Sequence, residues 1–155
     1  MFNVQKKSVK AGRRVDTEHV NRIIRNYKKE RWVHNSKRIG KEDSLSVWYS
    51  VEELEEFLSL VKEHGGDGIK LYFGAYDKEH APKPLYADRQ TVVLVGTKER
   101  ETETGLKNKD LYVQTESGSS ILAYNVGTIC PPFCTTDDPP GITILDKGDG
   151  GLFVG

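Results

Sequence analysis

The stretch "WYSVEELEEFLSLVKEHGGDGIKLYFGAY", Trp48 to Tyr76, leaves the backbone fewer choices than any other part of the chain. Ser50 and Glu53 stand at capping-box spacing, where each side chain can satisfy a main-chain amide that a helix N-terminus otherwise leaves without a partner. Tyr49 and Leu54 occupy the positions of a hydrophobic staple. Val51, Leu54, Phe57, Leu58 and Val61 recur at helical spacing and predict a buried stripe. Glu52, Glu53, Glu55 and Glu56 place negative charge in the first turns, where the helix dipole favours it. Gly65 and Gly66 end the helix, because glycine adopts a left-handed cap without steric cost. Immediately afterwards the period changes from 3.6 to 2: Ile69, Leu71, Phe73 and Ala75 alternate with Lys70, Tyr72, Gly74 and Tyr76, the pattern of a half-buried strand. A helix feeding a strand through a short glycine turn directs the chain towards a helix-on-sheet architecture.

The flanking segments extend that reading. Upstream, Asp16 or Thr17 can cap a helix, and Val20, Ile23, Ile24 and Tyr27 follow at i, i+3, i+4 and i+7, predicting an amphipathic helix over residues 17–30 with Trp32 and Val33 just beyond it. Downstream, residues 77–89 read as a long polar loop. "QTVVLVG", residues 90–96, is apolar on both faces and predicts a central strand, and "LYVQT" and "ILAYNV", joined by "ESGSS", predict a hairpin. The expected fold is α+β: two N-terminal helices packed on a small, mostly antiparallel sheet of three to four strands. The organisation that follows is a basic arm over residues 1–15, one domain over 16–126 and a Pro/Gly-rich tail over 127–155 that adds at most an edge strand.

The segment "GIKLYFG", a polar loop, "TVVLVG" and a late "CPPFC" together resemble a group of small bacterial α+β proteins carrying the same landmarks in the same order over residues 45–134. The resemblance implies the fold and no activity, since that group has no assigned chemistry.

Charge is the second constraint. The 155 residues carry 23 Lys/Arg and 23 Asp/Glu, but 13 of the basic residues and only three of the acidic ones lie in residues 1–41. Such sorting predicts that the front of the chain meets something anionic. Arg22, Arg25, Lys28, Lys29 and Arg31, with Trp32, are the candidate binding residues. They suit a macromolecular partner or a second copy of the chain, or the acidic helix of the same chain. Interleaved with Tyr27 and Trp32, they also suit nucleic acid, by phosphate neutralisation and base stacking.

The two cysteines, Cys130 and Cys134, are separated by Pro131-Pro132-Phe133. That gap is one residue longer than the redox motif of thioredoxin-like proteins, and no helix pattern follows it. The pair suits a free or locally bridged turn, and alternatively a thiol or metal site for zinc or copper. His19, His34, His64 and His80 are scattered singly and offer no second ligand pair. No hydrolase nucleophile, zinc-protease or phosphate-loop motif is present. There is no apolar run of about 18 residues to span a membrane and no leader-like start, so a cytoplasmic location is expected. The function expected from these features is a non-enzymatic interaction module without a cofactor.

Overall fold

The computed structural model describes residues 10–134. The basic arm is therefore described only from Lys10, and the tail beyond Cys134, with its "GITIL" and "GLFV" pieces, lies outside the described residues. The fold is α+β.

The N-terminal helix is longer than its periodicity announces. Asp16 caps it by accepting a hydrogen bond from the His19 amide at 2.9 Å, and α1 runs Thr17–Tyr27. It then passes through a wide π-type turn, Lys28–Trp32, into α2, Val33–Ile39, and closes at Gly40 in the left-handed conformation. Trp32 and Val33 are thus inside the helix and not beyond it. The physical reason is the wide turn. An α-helix continued from Tyr27 would bring residues 30 and 31 to the inner face, whereas one extra residue per turn brings Trp32 there instead.

α3 spans Val51–Glu63, with the reciprocal capping box in place: the Ser50 amide donates to Glu53 Oε2 at 2.7 Å and the Glu53 amide donates to Ser50 Oγ at 3.2 Å. Phe57 and Val61 are its buried residues, and Leu54 and Tyr49 pack against the same cluster. Val51 and Leu58, expected in the stripe, are exposed.

Among the described residues the strands number eight, all paired antiparallel, where three or four were expected. β2 (Gly68–Ala75) pairs with β3 (Gln90–Thr102) over its full length, from Gly68 opposite Thr97 to Ala75 opposite Gln90. β3 is six residues longer than the apolar run that announces it, and its far half pairs with β4 (Gly105–Asp110). A hairpin forms where one was expected, but with its second arm displaced: β5 (Tyr112–Thr115) pairs with β6 (Gly118–Ile121), which lies mostly in the stretch read as the connection and takes only Ile121 from "ILAYNV". β7 (Ala123–Tyr124) leaves that hairpin to pair with β3 at Leu94 and Val95. β1 (Ser46–Trp48) pairs with β8 (Thr128–Cys130), so part of the segment read as tail is a strand, and Ile129 within it is fully buried.

α3 lies on one face of β3. Phe57, Val61, Leu94, Leu111 and Leu122 form the core, with Ile69, Val92, Val113 and Tyr124 packed around them. The helix approaches the sheet closely because Gly66 and Gly96 carry no side chain. A Cβ on Gly96 would stand 2.8 Å from Val61 Cγ2, closer than real atoms approach.

Candidate binding surface

The long helix is fixed to the sheet near its middle and not along its length. None of the residues of α1 is buried, and Val20 and Ile23 of its apolar stripe are exposed. The attachment begins at Tyr27, whose hydroxyl donates to Gln90 Oε1, and is completed by the π-type turn. Trp32, 5% exposed, donates its indole N–H to the Asp43 carbonyl at 2.7 Å. Asp43, itself buried, accepts at Oδ1 from the amides of Ser44 at 2.8 Å and Gln90 at 2.7 Å, and its own amide donates to Ser36 Oγ at 2.9 Å. One residue thus ties the helix, through its main chain, to the loop after it and to the first residue of β3, through its carboxylate. Burial raises the Tyr27 pKa above its ordinary value, and the nearby Asp43 carboxylate adds to the rise.

Truncating the Asp43 side chain in Asp43→Ala leaves two main-chain amides without an acceptor. The expected loss is about 2–4 kcal/mol of unfolding free energy, read from urea melts.

This attachment divides the candidate binding residues. Arg22, Lys29 and Arg31 are exposed, and the Arg31 guanidinium donates to the neighbouring Glu30 carbonyl at 3.3 Å. Arg25 is half-buried. Lys28 and Trp32 are interior, with Lys28 0% exposed, so neither side chain is displayed to a partner. Tyr27 and Trp32 do not form a platform on which bases could stack, since one is tied to Gln90 and the other is enclosed. The burial of Lys28 carried no sequence signal: the helical period assigns it to the solvent side, and the wide turn alone brings it inward.

The acidic counterpart is separate. Glu52, Glu55, Glu56 and Glu63 line one exposed, shallow face of α3 with Ser59 and Leu60, and their side chains hold no ion pair or hydrogen bond among the described residues. Glu53 behaves differently. The Ser50 amide first, then the Ser50 and Tyr124 hydroxyls, hold its carboxyl below the ordinary 4.5, and Tyr124 Oη donates to Glu53 Oε1 at 2.9 Å. On the opposite sheet face Asp110 accepts from the Tyr72 hydroxyl at 2.6 Å and pairs with Lys70 at 2.9 Å, which holds its carboxyl below 3.8 in the same way.

Both carboxyls are lowered in the folded state. Their contribution to stability is therefore complete above the ordinary carboxyl range and is lost as pH falls through the lowered folded values. Stability is expected to decline on acidification below about pH 4.5, and Tyr124→Phe should flatten that decline in urea midpoints collected across the acid range.

Cys130 and Cys134 are joined in a disulfide, with Cα atoms 4.8 Å apart. The peptide bonds before Pro131 and Pro132 are both cis. The Cys130 carbonyl accepts from the Leu45 amide at 2.7 Å, so the turn belongs to the β1–β8 pair. Bonded to each other, the sulfurs are not thiolate ligands for zinc or copper. Elsewhere among the described residues, Asp77, Glu79 and His80 bring potential ligand atoms within 4.8 Å of one another on the exposed loop. There Asp77 Oδ1 already accepts from the His80 amide at 2.7 Å. No described helix is long and apolar enough to cross a membrane.

Beside these charged faces lies a groove of about 370 Å³, lined by Tyr27, Tyr49, Leu54, Leu71, Phe73 and Val92 among others. The strand pattern predicts that Leu71 and Phe73 are covered. They are 60% and 83% exposed: of the β2 residues on that face Ile69 packs on the core cluster, and Leu71 and Phe73 lie outside it. The chain matches no protein-family model, no curated protein and no solved structure, so its short landmarks carry no family assignment and the surfaces themselves are the guide to function.

Proposed function

We propose that the protein is a non-catalytic interaction module, and that the exposed basic side of its N-terminal helix captures an acidic protein surface. The supporting observation is that α1, although amphipathic, buries none of its residues, so that Val20 and Ile23 stand uncovered beside Arg22. A helix whose apolar stripe is left open and flanked by cations is suited to lie on a complementary surface. Among the described residues the acidic face of α3 does not serve that role, since Glu52, Glu55, Glu56 and Glu63 hold no ion pair there. An acidic protein surface is favoured over nucleic acid because Tyr27 and Trp32, the aromatic residues that would stack on bases, are engaged in attaching the helix to the sheet.

The test uses a polyglutamate peptide and a single-stranded oligonucleotide as defined probes, with fluorescence anisotropy as the readout. Polyglutamate binding should weaken at least about tenfold when Arg22, Lys29 and Arg31 are changed together to Glu, and should fall with added salt as exposed charges are screened. Lys28 is left intact in this variant because its burial makes substitution structural. Undiminished polyglutamate binding by the variant, or a clear preference for the oligonucleotide, overturns the reading.

A further inference from the structure

We propose that the open edge of β2 is a self-association surface on which two copies of the chain pair β2 against β2, antiparallel, about a twofold axis at Tyr72. The proposal starts from main-chain geometry. Among the described residues β2 has a strand neighbour on one side only. In an antiparallel pair the main-chain groups of successive residues point alternately towards the neighbour and away from it. The Tyr76 amide donates to the Arg89 carbonyl, which fixes the phase and turns the even-numbered residues of β2 towards β3. The partner strand agrees: Gly96, opposite Ile69, gives its amide to Leu122 and its carbonyl to Leu111 on the far side of β3. The amides and carbonyls of Ile69, Leu71, Phe73 and Ala75 therefore face the open edge.

Sheet edges are normally blunted by proline, a bulge, or an outward lysine. β2 has none of these. Its register with β3 is unbroken from Gly68 to Ala75, it contains no proline, and its one lysine is drawn to Asp110.

The sequence of this edge is complementary to itself. With Tyr72 on the twofold axis, Ile69 stands opposite Ala75 and Leu71 opposite Phe73, and symmetry repeats each pair. All the outward main-chain groups are then satisfied. The two exposed apolar side chains of the strand cover each other beside the groove, as directly opposed residues on one sheet face do. On the other face Gly74 stands opposite Lys70 and leaves room for it.

Charge supports a second copy over an unrelated strand. The end of β2 near Phe73 to Tyr76 lies beside Asn35 and Arg38 of α2, while its start lies where α3 ends, with Val61 against Gly66 and Gly96. Antiparallel pairing brings the α2 end of one copy towards the end of α3 in the other, where Glu63 is exposed and without an ion partner among the described residues.

Sedimentation equilibrium of the full chain over micromolar to millimolar concentrations should give twice the chain mass at the upper end, with the dimer weakened at least about tenfold in Phe73→Lys. Tyr72→Cys, which places one thiol on the axis in each copy, should form a covalent dimer on mild oxidation, because non-hydrogen-bonded antiparallel pairs bring Cα atoms to about 4.5 Å. Gly74→Cys, which lies off the axis, should not. Near-ultraviolet circular dichroism establishes that each variant is folded, and Tyr72→Cys does not depend on Phe73→Lys remaining so. A monomer at every concentration, as expected if the chain's own residues beyond Cys134 occupy the edge, overturns the proposal. So does a dimer indifferent to Phe73→Lys that fails to cross-link through position 72. The variant with Arg22, Lys29 and Arg31 reversed should dimerise as wild type does, which separates this result from the capture of acidic partners.

Discussion

Trp32→Ala is expected to cost about 3–5 kcal/mol, the range for removing a large buried aromatic side chain. The loss should also be local. Trp32 fills the inner face of the wide turn and holds the Asp43 carbonyl, and α1 contributes no buried residue that could retain the helix once that anchor is gone. Native-state hydrogen exchange should therefore show protection over Thr17–Ile39 collapsing while the β2–β3 pair keeps most of its own, because segments open independently where few buried contacts join them. Uniform loss across the chain would mean that the helix is an integral part of the core. Trp32→Phe keeps most of the volume and removes the indole donor, so it should show a smaller defect, about 1–2 kcal/mol.

Tyr86→Ala should be comparably severe, about 3–5 kcal/mol in urea melts. Tyr86 is 1% exposed although it lies in a loop whose sequence reads as polar. A single 3-10 turn, Pro84–Tyr86, carries the ring inward to stack on Tyr76, with centroids 5.7 Å apart, and to meet Phe133 at 5.6 Å. Its hydroxyl accepts from the Ile129 amide at 3.4 Å. The ring thus joins the loop after β2 to the disulfide-closed turn after β8. Tyr86→Phe should lose only about 1 kcal/mol, which separates packing from the hydrogen bond.

These two residues also mark the limit of what the sequence discloses. α3 was legible to its capping box because its signals are local: a cap, a stripe and a glycine stop within the sixteen positions from Ser50 to Gly65. The β2 and β3 patterns were legible for the same reason, although how much of the apolar face of β2 would be covered depended on the reach of the core, which includes Ile69 and leaves Leu71 and Phe73 exposed. The π-type turn left no such trace. One inserted residue changes which side chains face inward, and a simple helical period cannot register it, so Lys28 was placed on the solvent side and Trp32 beyond the helix's end.

β4, "GLKNKD", is too polar to read as a strand and exists because β3 continues past its apolar run to meet it. A signal for that hairpin was present. Thr102-Glu103-Thr104-Gly105 and Thr115-Glu116-Ser117-Gly118 are the same turn twice, each with a threonine hydroxyl donating to the carbonyl of a glycine at positive φ, at 2.6 Å and 2.7 Å. The short repeat spells out both turns and is easily overlooked between charged neighbours. The candidate binding surface was legible as charge and illegible as shape: sorting of Lys and Arg pointed to the helix, while the exposed edge of β2 depends on strand order, which no local pattern encodes.

The position of β3 has a consequence for synthesis. Both long helical segments and β2 leave the ribosome before Gln90, yet each finds its docking site on residues 90–97, and β4 and β7 pair with the same strand later. A nascent chain stalled ahead of Gln90 would hold three amphipathic pieces with nothing to shield their oily sides, which is when a folding helper protein would find most to grip.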